Sequence, residues 1–261
     1  MTPEFGSPQD SPRTAIVTGG ARRIGAAFVR ALAEDGWTML IHCHESMAEA
    51  EELAAGLPGA RVVDADLSSV DGPSKVCAAL ERMPPPGLLV NSASRFTEDS
   101  FVGFTAERWD AHMTANLRGP ALLTQAFAAR VPEGMAAWIV NMLDGKLAQP
   151  NPDFFSYTVS KMGLAGLTEL CARALAGRGI RVCAIAPSVT LVSGRQTRRN
   201  FEAVHALNAL GRGVHVGELV AALRFIVASP TLTGQTITID GGQRFLALPR
   251  DVQYMTPEEA Q

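Results

Sequence analysis

Short, wholly apolar runs alternate along the chain with longer segments whose apolar positions recur at helical spacing. The first run, Thr14-Ala15-Ile16-Val17, breaks at Thr18-Gly19-Gly20-Ala21-Arg22-Arg23-Ile24-Gly25, after which Phe28, Val29, Leu32 and Ala33 mark one face of a helix. Thr38–Cys43 predicts a second strand and Arg61–Leu67 a third, with Ser46 and Glu49 forming a capping box for the helix between them. A helix beginning near Asp71 is stopped by Pro84-Pro85-Pro86-Gly87. Leu88-Leu89-Val90 then predicts a fourth strand, apolar throughout as the middle of a parallel sheet requires. A long helix follows from about Thr105 to Arg130, then a fifth strand, Trp138–Leu143, and a helix from about Phe154 to Gly177. The pattern closes with a strand over Arg181–Ala186, an amphipathic helix over Val216–Ala228 and a last strand running into Asp240-Gly241-Gly242. This alternation predicts a single-domain α/β fold, a doubly wound parallel sheet of about seven strands with helices on both faces.

Composition narrows the picture. A chain of 261 residues suits one such domain, and 47% hydrophobic with only 6% aromatic content suits helices packed closely on a sheet. The net charge of -3 argues against a nucleic-acid partner. No apolar run is long enough for a membrane span and no signal peptide is visible, so a cytoplasmic protein is expected. Cys43, Cys77, Cys171 and Cys183 lack ligand spacing, which predicts reduced thiols and no metal site. Residues 1–12, containing Glu4-Phe5-Gly6-Ser7, read as a leader or cloning scar. The domain is placed at 13–248, followed by a tail at 249–261 that is free or lies on a neighbour.

Strand, glycine turn and helix in immediate succession is the setting of a dinucleotide fingerprint. Gly19 and Gly25 let the backbone approach a pyrophosphate, and the helix N-terminus supplies N–H groups. Arg22 and Arg23 stand in this turn, and no acid closes the second strand, which runs His42-Cys43-His44-Glu45-Ser46. A ribose 2′-phosphate needs basic donors, so the pattern points to NADP(H), with Glu45 tolerable only if it turns away. Asp66, ahead of Leu67, is placed to accept from an adenine amino group or to cap the next helix. The fourth strand opens into Asn91-Ser92-Ala93-Ser94-Arg95-Phe96, where small residues admit a cofactor ring and Phe96 either stacks on a ligand or packs. Val189 to Gly213, with Arg195, Arg198, Arg199, His205 and Arg212, is either a substrate lid or a solvated loop.

The chemistry centres on Asp144 to Lys161. Tyr157 and Lys161 are spaced i, i+4 at the start of a helix, so they share a face, and the ammonium is expected to lower the Tyr pKa for proton donation. Asp144 arrives at the end of the fifth strand, where ligands bind in open α/β sheets. Asn116, inside the long helix, needs a partner if it faces the sheet, and a water leading to Lys161 is one candidate.

Taken together, Thr18-Gly19…Gly25, Asp66-Leu67, Asn91-Ser92-Ala93, Asn116, Tyr157…Lys161, Pro187 and Asp240-Gly241-Gly242 resemble the short-chain dehydrogenase/reductase family from about Arg13 to Phe245. The resemblance implies a Rossmann fold, a homotetramer and an Asn-Ser-Tyr-Lys tetrad, of which Asn116, Tyr157 and Lys161 are present. Where most members have Ser, this chain has Asp144. An ionised carboxylate cannot donate to a developing alkoxide, so Asp144 favours reduction of a C=N bond over a ketone. An Asp at this position resembles the pteridine reductase branch, as do Arg23-Ile24-Gly25, His44…Ser46 and Ser94…Phe96. That likeness implies NADPH-dependent reduction of a pterin or folate. It assigns Arg23, His44 and Ser46 to the 2′-phosphate, Ser94 and Phe96 to the pterin, and Pro187 and Ser188 to the cofactor wall. Glu45, Arg95 and Ser188 depart from the branch's pattern. A reductase of another imine or carbonyl, and a catalytically idle NADPH binder, are the rival readings.

Overall fold

The computed structural model describes residues 13–194 and 196–255. The expected leader (1–12), Arg195 and the end of the expected tail (256–261) lie outside the described residues. Seven strands form one parallel sheet: β1 (Thr14–Val17), β2 (Thr38–Cys43), β3 (Arg61–Asp64), β4 (Pro86–Asn91), β5 (Ala137–Met142), β6 (Ile180–Pro187) and β7 (Thr236–Ile239). Their order is β3-β2-β1-β4-β5-β6-β7, so the chain reverses direction across the sheet between β1 and β4. A crevice outside the carboxyl ends of those two strands is where this topology binds ligands.

Both faces are covered, which is why the strands read as unbroken apolar runs. Ala15 and Val17 of β1 pack with Phe28 and Leu32 of α1 (Arg23–Glu34), Ala50 of α2 (Met47–Ala55) and Leu223 of α8 (Val216–Ala228). Ile16, between them, faces the other way, toward Val76 of α3 (Gly72–Ala78), Phe127 of α5 (Gly119–Ala128) and Ala172 of α6 (Phe155–Leu175).

The expected elements are present, with differences that bear on the site. The helix expected over Thr105–Arg130 is α4 (Ala106–Met113), a π turn (Thr114–Arg118) and α5 in succession, and Asn116 sits inside the π turn. Within the expected lid, α7 (Arg198–Val204) forms a single short helix. The third strand stops at Asp64, before Asp66 and Leu67. The expected capping box is absent: Ser46 is the N-cap of α2, but its hydroxyl turns to the His44 carbonyl and makes no capping bond, and Glu49 pairs with Arg22. Among the described residues no helix is long and apolar enough to cross a membrane, and no cluster of metal-ligating side chains occurs.

Candidate active site

A cavity of about 630 Å³ opens beyond the carboxyl ends of the strands, from the glycine turn to Asp144 and Tyr157. At its first end the wall is mostly backbone. Gly19 has φ +62°, and a Cβ there would stand 3.1 Å from Ala93 Cα, so only glycine lets the turn approach the end of β4. A Cβ on Gly25 would lie 2.1 Å from the Gly19 carbonyl oxygen, so α1 can start directly over the turn only with glycine there. His42, buried in β2, fixes this geometry. The Gly19 N–H donates to its Nδ1 at 3.1 Å, so the ring proton sits on Nε2, 2.9 Å from the Ala65 carbonyl. Burial lowers the His42 pKa and holds the ring neutral.

The N-cap of α1, Arg22, makes no side-chain capping bond, and Arg23, Ile24 and Gly25 line the cavity. First-turn N–H groups without a cap are a ready place for an anion. The basic side chains there are already partnered: Arg22 with Glu49, and Arg23, itself at φ +56°, with the Val192 carbonyl at 2.7 Å. Ser46, Ala93, Ser94, Pro187 and Ser188 also border the cavity. Glu45 lies outside the lining with its side chain 85% exposed, and His44 stands beside Asp64 rather than over the cavity.

At the other end, side chains dominate. Tyr157 Oη donates to Asp144 Oδ2 at 2.8 Å, while the second Asp144 oxygen accepts the Lys146 N–H at 2.9 Å. Burial, then the Asp144 carboxylate, push the Tyr157 phenol well above its usual pKa. This overturns the expectation that Lys161 lowers it. Lys161 Nζ is turned to the Met142 carbonyl at 2.8 Å, 5.7 Å from the phenol ring centre, and burial depresses its own pKa to about 8. Tyr157 is therefore protonated, and its hydroxyl donates to a carboxylate oxygen.

Asn116 is fully buried, and its amide is spent on protein groups. Its Oδ1 accepts from Arg95 N–H (2.7 Å) and Ser94 Oγ (3.3 Å), and its Nδ2 donates to Arg95 O (2.9 Å) and Ser160 Oγ (3.0 Å). Those four bonds fill the capacity of an amide side chain. The side-chain amide therefore has no bond left for the expected relay water, and it holds the loop after β4 as a neighbouring strand would. Asn91 is also occupied elsewhere, donating to Asn141 Oδ1 at 2.8 Å inside the sheet. Asp66 accepts from Ser68 N–H and Oγ, which lowers its pKa, and it does not cap α3, whose N-cap is Asp71. Asn91, Asn116, Asp66, Leu67 and His44 all lie outside the cavity lining.

Residues 13–203 match the sequence profile of the short chain dehydrogenase family. The chain belongs to that family. Its fold is similar to that of the FolM alternative dihydrofolate reductase 1 of Brucella canis, solved in complex with NADP. The two are 39% identical with a TM-score of 0.87, and the match covers 92% of this chain and 97% of that one. The corresponding protein of Brucella suis, also in complex with NADP, is 38% identical with a TM-score of 0.85, over 95% and 98% of the two chains. Pteridine reductase 1 of Leishmania tarentolae is 31% identical, over 87% of this chain and 95% of its own length.

In this short-chain dehydrogenase the tail expected to be free, or to lie on a neighbour, is folded onto the site as far as Met255. Asp251 Oδ2 meets Lys146 Nζ at 3.1 Å, Arg250 pairs with Asp153 at 2.7 Å, and Asn200 of α7 donates to the Gln253 carbonyl at 3.0 Å. Tyr254 stacks on Phe154, which stacks in turn on Phe96 with ring centres 4.4 Å apart. Phe96 thus borders the cavity already supported on one side, with its ring edge-on to Tyr157 at 4.7 Å. Lys146, Asp251 and Phe154 were not singled out from the sequence. Lys146 had no periodic signal, and Asp251 follows the last strand in a segment too short to predict. Phe154 at φ +52° is an unusual N-cap that no sequence pattern announces.

Proposed function

We propose that this protein is an NADPH-dependent reductase of a pterin ring, acting on a C=N bond of a dihydropterin, pterin or dihydrofolate. The observation that carries the reading is the 2.8 Å bond from Tyr157 Oη to Asp144 at the position where a neutral serine would serve a ketone. Asp144 accepts there, so nothing at that oxygen donates to an alkoxide, whereas a ring nitrogen needs only a proton. The similarity to NADP-bound FolM dihydrofolate reductases and to a pteridine reductase supports the same choice.

The residues present fit the cofactor. Close-approaching glycines, an α1 N-terminus with no side-chain cap and two arginines suit a pyrophosphate and a 2′-phosphate. Gly19, Ile24, Gly25 and Ala93 would hold the diphosphate and ring, Arg22, Arg23 and Ser46 the 2′-phosphate, and Lys161 the ribose. NADPH, when bound, supplies the hydride. Tyr157 delivers the proton to the substrate nitrogen, Asp144 orients that proton, and Lys161 supplies positive charge as the phenol loses it. Phe96 offers its ring to the substrate, and Ser94 a hydroxyl. A cytoplasmic homotetramer belongs to the same reading, supported by family membership and by exposed apolar side chains such as Phe101 and Leu170.

NADPH oxidation with dihydrobiopterin, dihydromonapterin and dihydrofolate, beside a panel of ketones and an NADH control, tests the proposal. Turnover confined to the pterins and folate is expected, and turnover of ketones alone would overturn it. Asp144→Ser should lower pterin turnover at least about a hundredfold with NADPH affinity nearly unchanged. Equal losses in both would remove the role given to Asp144.

A further inference from the structure

A second buried histidine lies just outside the cavity. His112, at the end of α4 where the π turn begins, is completely buried. The Thr97 N–H donates to its Nε2 at 3.2 Å, and Thr97 Oγ1 lies 3.0 Å from the same nitrogen. Its Nδ1 is 2.6 Å from Ser156 Oγ, and Ser156 Oγ donates in turn to Asp99 Oδ2. The other Asp99 oxygen accepts the Ser156 N–H at 3.1 Å. An amide N–H can only donate, so Nε2 carries no proton and the single proton of the neutral ring is on Nδ1. The chain of donors then runs one way: Thr97 N–H to His112, His112 Nδ1–H to Ser156, Ser156 O–H to Asp99.

These bonds join the substrate side of the site. Thr97 directly follows Phe96, on the loop held at its other end by Asn116. Ser156 directly precedes Tyr157, and Asp99 caps the start of α6, where Phe154 provides no side-chain cap. We infer that His112 is a positioning residue that locks the Phe96 loop to the start of the Tyr157 helix, and that the lock requires a neutral imidazole protonated on Nδ1. A proton on Nε2 would set N–H against N–H and release Thr97. The charged or titratable groups around the ring are Asp99 on the loop, which favours its protonation, Arg95 on the same loop, which opposes it, and Tyr157 on α6, 6.2 Å away edge-on. Burial is the largest effect and holds the pKa below its ordinary value, so the lock is closed at neutral pH and opens on acidification.

The inference rests on the pterin-reductase reading only for its kinetic arm. Nitrogen-15 NMR of histidine-labelled protein near neutral pH should find His112 neutral with the proton on Nδ1; a proton on Nε2, or a cationic ring, would overturn it whatever the substrate. Two variants divide the bonds. His112→Gln can keep an acceptor for Thr97 and lose the donor to Ser156, while His112→Asn can do the reverse. Thr97 amide exchange should quicken in His112→Asn and stay near wild type in His112→Gln. For the pterin substrate, KM should rise about five- to tenfold in His112→Asn, with kcat and NADPH affinity within about twofold, and by a smaller factor in His112→Gln, which keeps the Thr97 bond and loses only the one to Ser156. Wild-type KM should rise as pH falls, and His112→Gln should lack that limb. Equal KM values in the two variants, or the same acid limb in both proteins, would overturn the assignment. Absence of pterin turnover in the wild type would remove the function proposed above and leave the tautomer and exchange results to decide this one.

Discussion

At the glycine turn the cavity wall is backbone held by sterics, and the charged groups nearby are half-exposed and already paired. Arg22 lies against Glu49 with both side chains about half in water, and Arg23 reaches across to Val192. Around Tyr157 the materials are reversed: beyond the left-handed Phe154 the backbone of α6 is ordinary helix, and buried polar side chains carry the structure. Each end has its own buried neutral histidine, and the two hold opposite tautomers. His42 accepts at Nδ1 from the glycine turn, whereas His112 accepts at Nε2 from the Phe96 loop. The difference teaches where free energy is concentrated. Exposed ion pairs are worth about 0–1 kcal/mol and are screened by salt. A buried bond to a charged group is worth about 1.5–3 kcal/mol and resists screening. Binding at the first end is therefore adjustable by small steps, while chemistry at the second is lost in one.

The widest gap between the two ends is expected for Tyr157→Phe. Steady-state kinetics should show kcat reduced by about a hundredfold or more, with NADPH affinity within about twofold of wild type. A parallel loss of NADPH affinity would mean the two ends are not separable.

Next in size is a pH effect at Lys161, which is charged below about 8 and neutral above. A rate profile should show kcat/KM falling as pH rises through that value, because the phenol then loses its cationic support. Stability should respond in the opposite sense. The unfolded chain holds the lysine proton up to its ordinary value of 10.5 and the folded one releases it near 8, so between them the unfolded state binds more protons. Urea midpoints should therefore climb from pH 8 to 10 relative to Lys161→Met, and a midpoint difference that is flat or falls would contradict the assignment.

The smallest effect belongs to the first end. Glu49→Gln frees Arg22 and removes a negative charge, and NADPH affinity should improve by about two- to fivefold at low salt. The gain should fade in higher salt, and a loss of affinity would show that Glu49 steers Arg22 toward the phosphate rather than competing for it.

How much of this was legible in the sequence divides along the same line. The strands and the glycine turn were readable because apolar periodicity and steric need are local properties of consecutive residues. The ends of elements were less so: β3 stops before Asp66 because its Ser68 contacts turn the chain, which periodicity does not report. Asp144, Tyr157 and Lys161 stood out through spacing and position. The state of the Tyr157 proton did not, since burial and Asp144 together outweigh a cation whose presence was all the sequence conveyed. Asn116 was correctly sensed as needing a partner, yet its four bonds depend on a π turn and on a loop from another strand. Lys146, His112 and Asp251 acquire meaning only through residues distant in the chain.

The segment carrying Arg250 to Tyr254 has a consequence for timing. It is made after every strand of the sheet, yet it supplies Asp251 to Lys146 and Tyr254 to Phe154. In a chain emerging N-terminus first, β1 to β7 and their helices are made before this part of the wall. A sheet formed without it would leave Tyr157 and Asp144 in a cavity open on the flank that Asp251, Val252 and Gln253 line. The Lys146 and Phe154 flank of the site thus depends on residues that come after every strand in the chain.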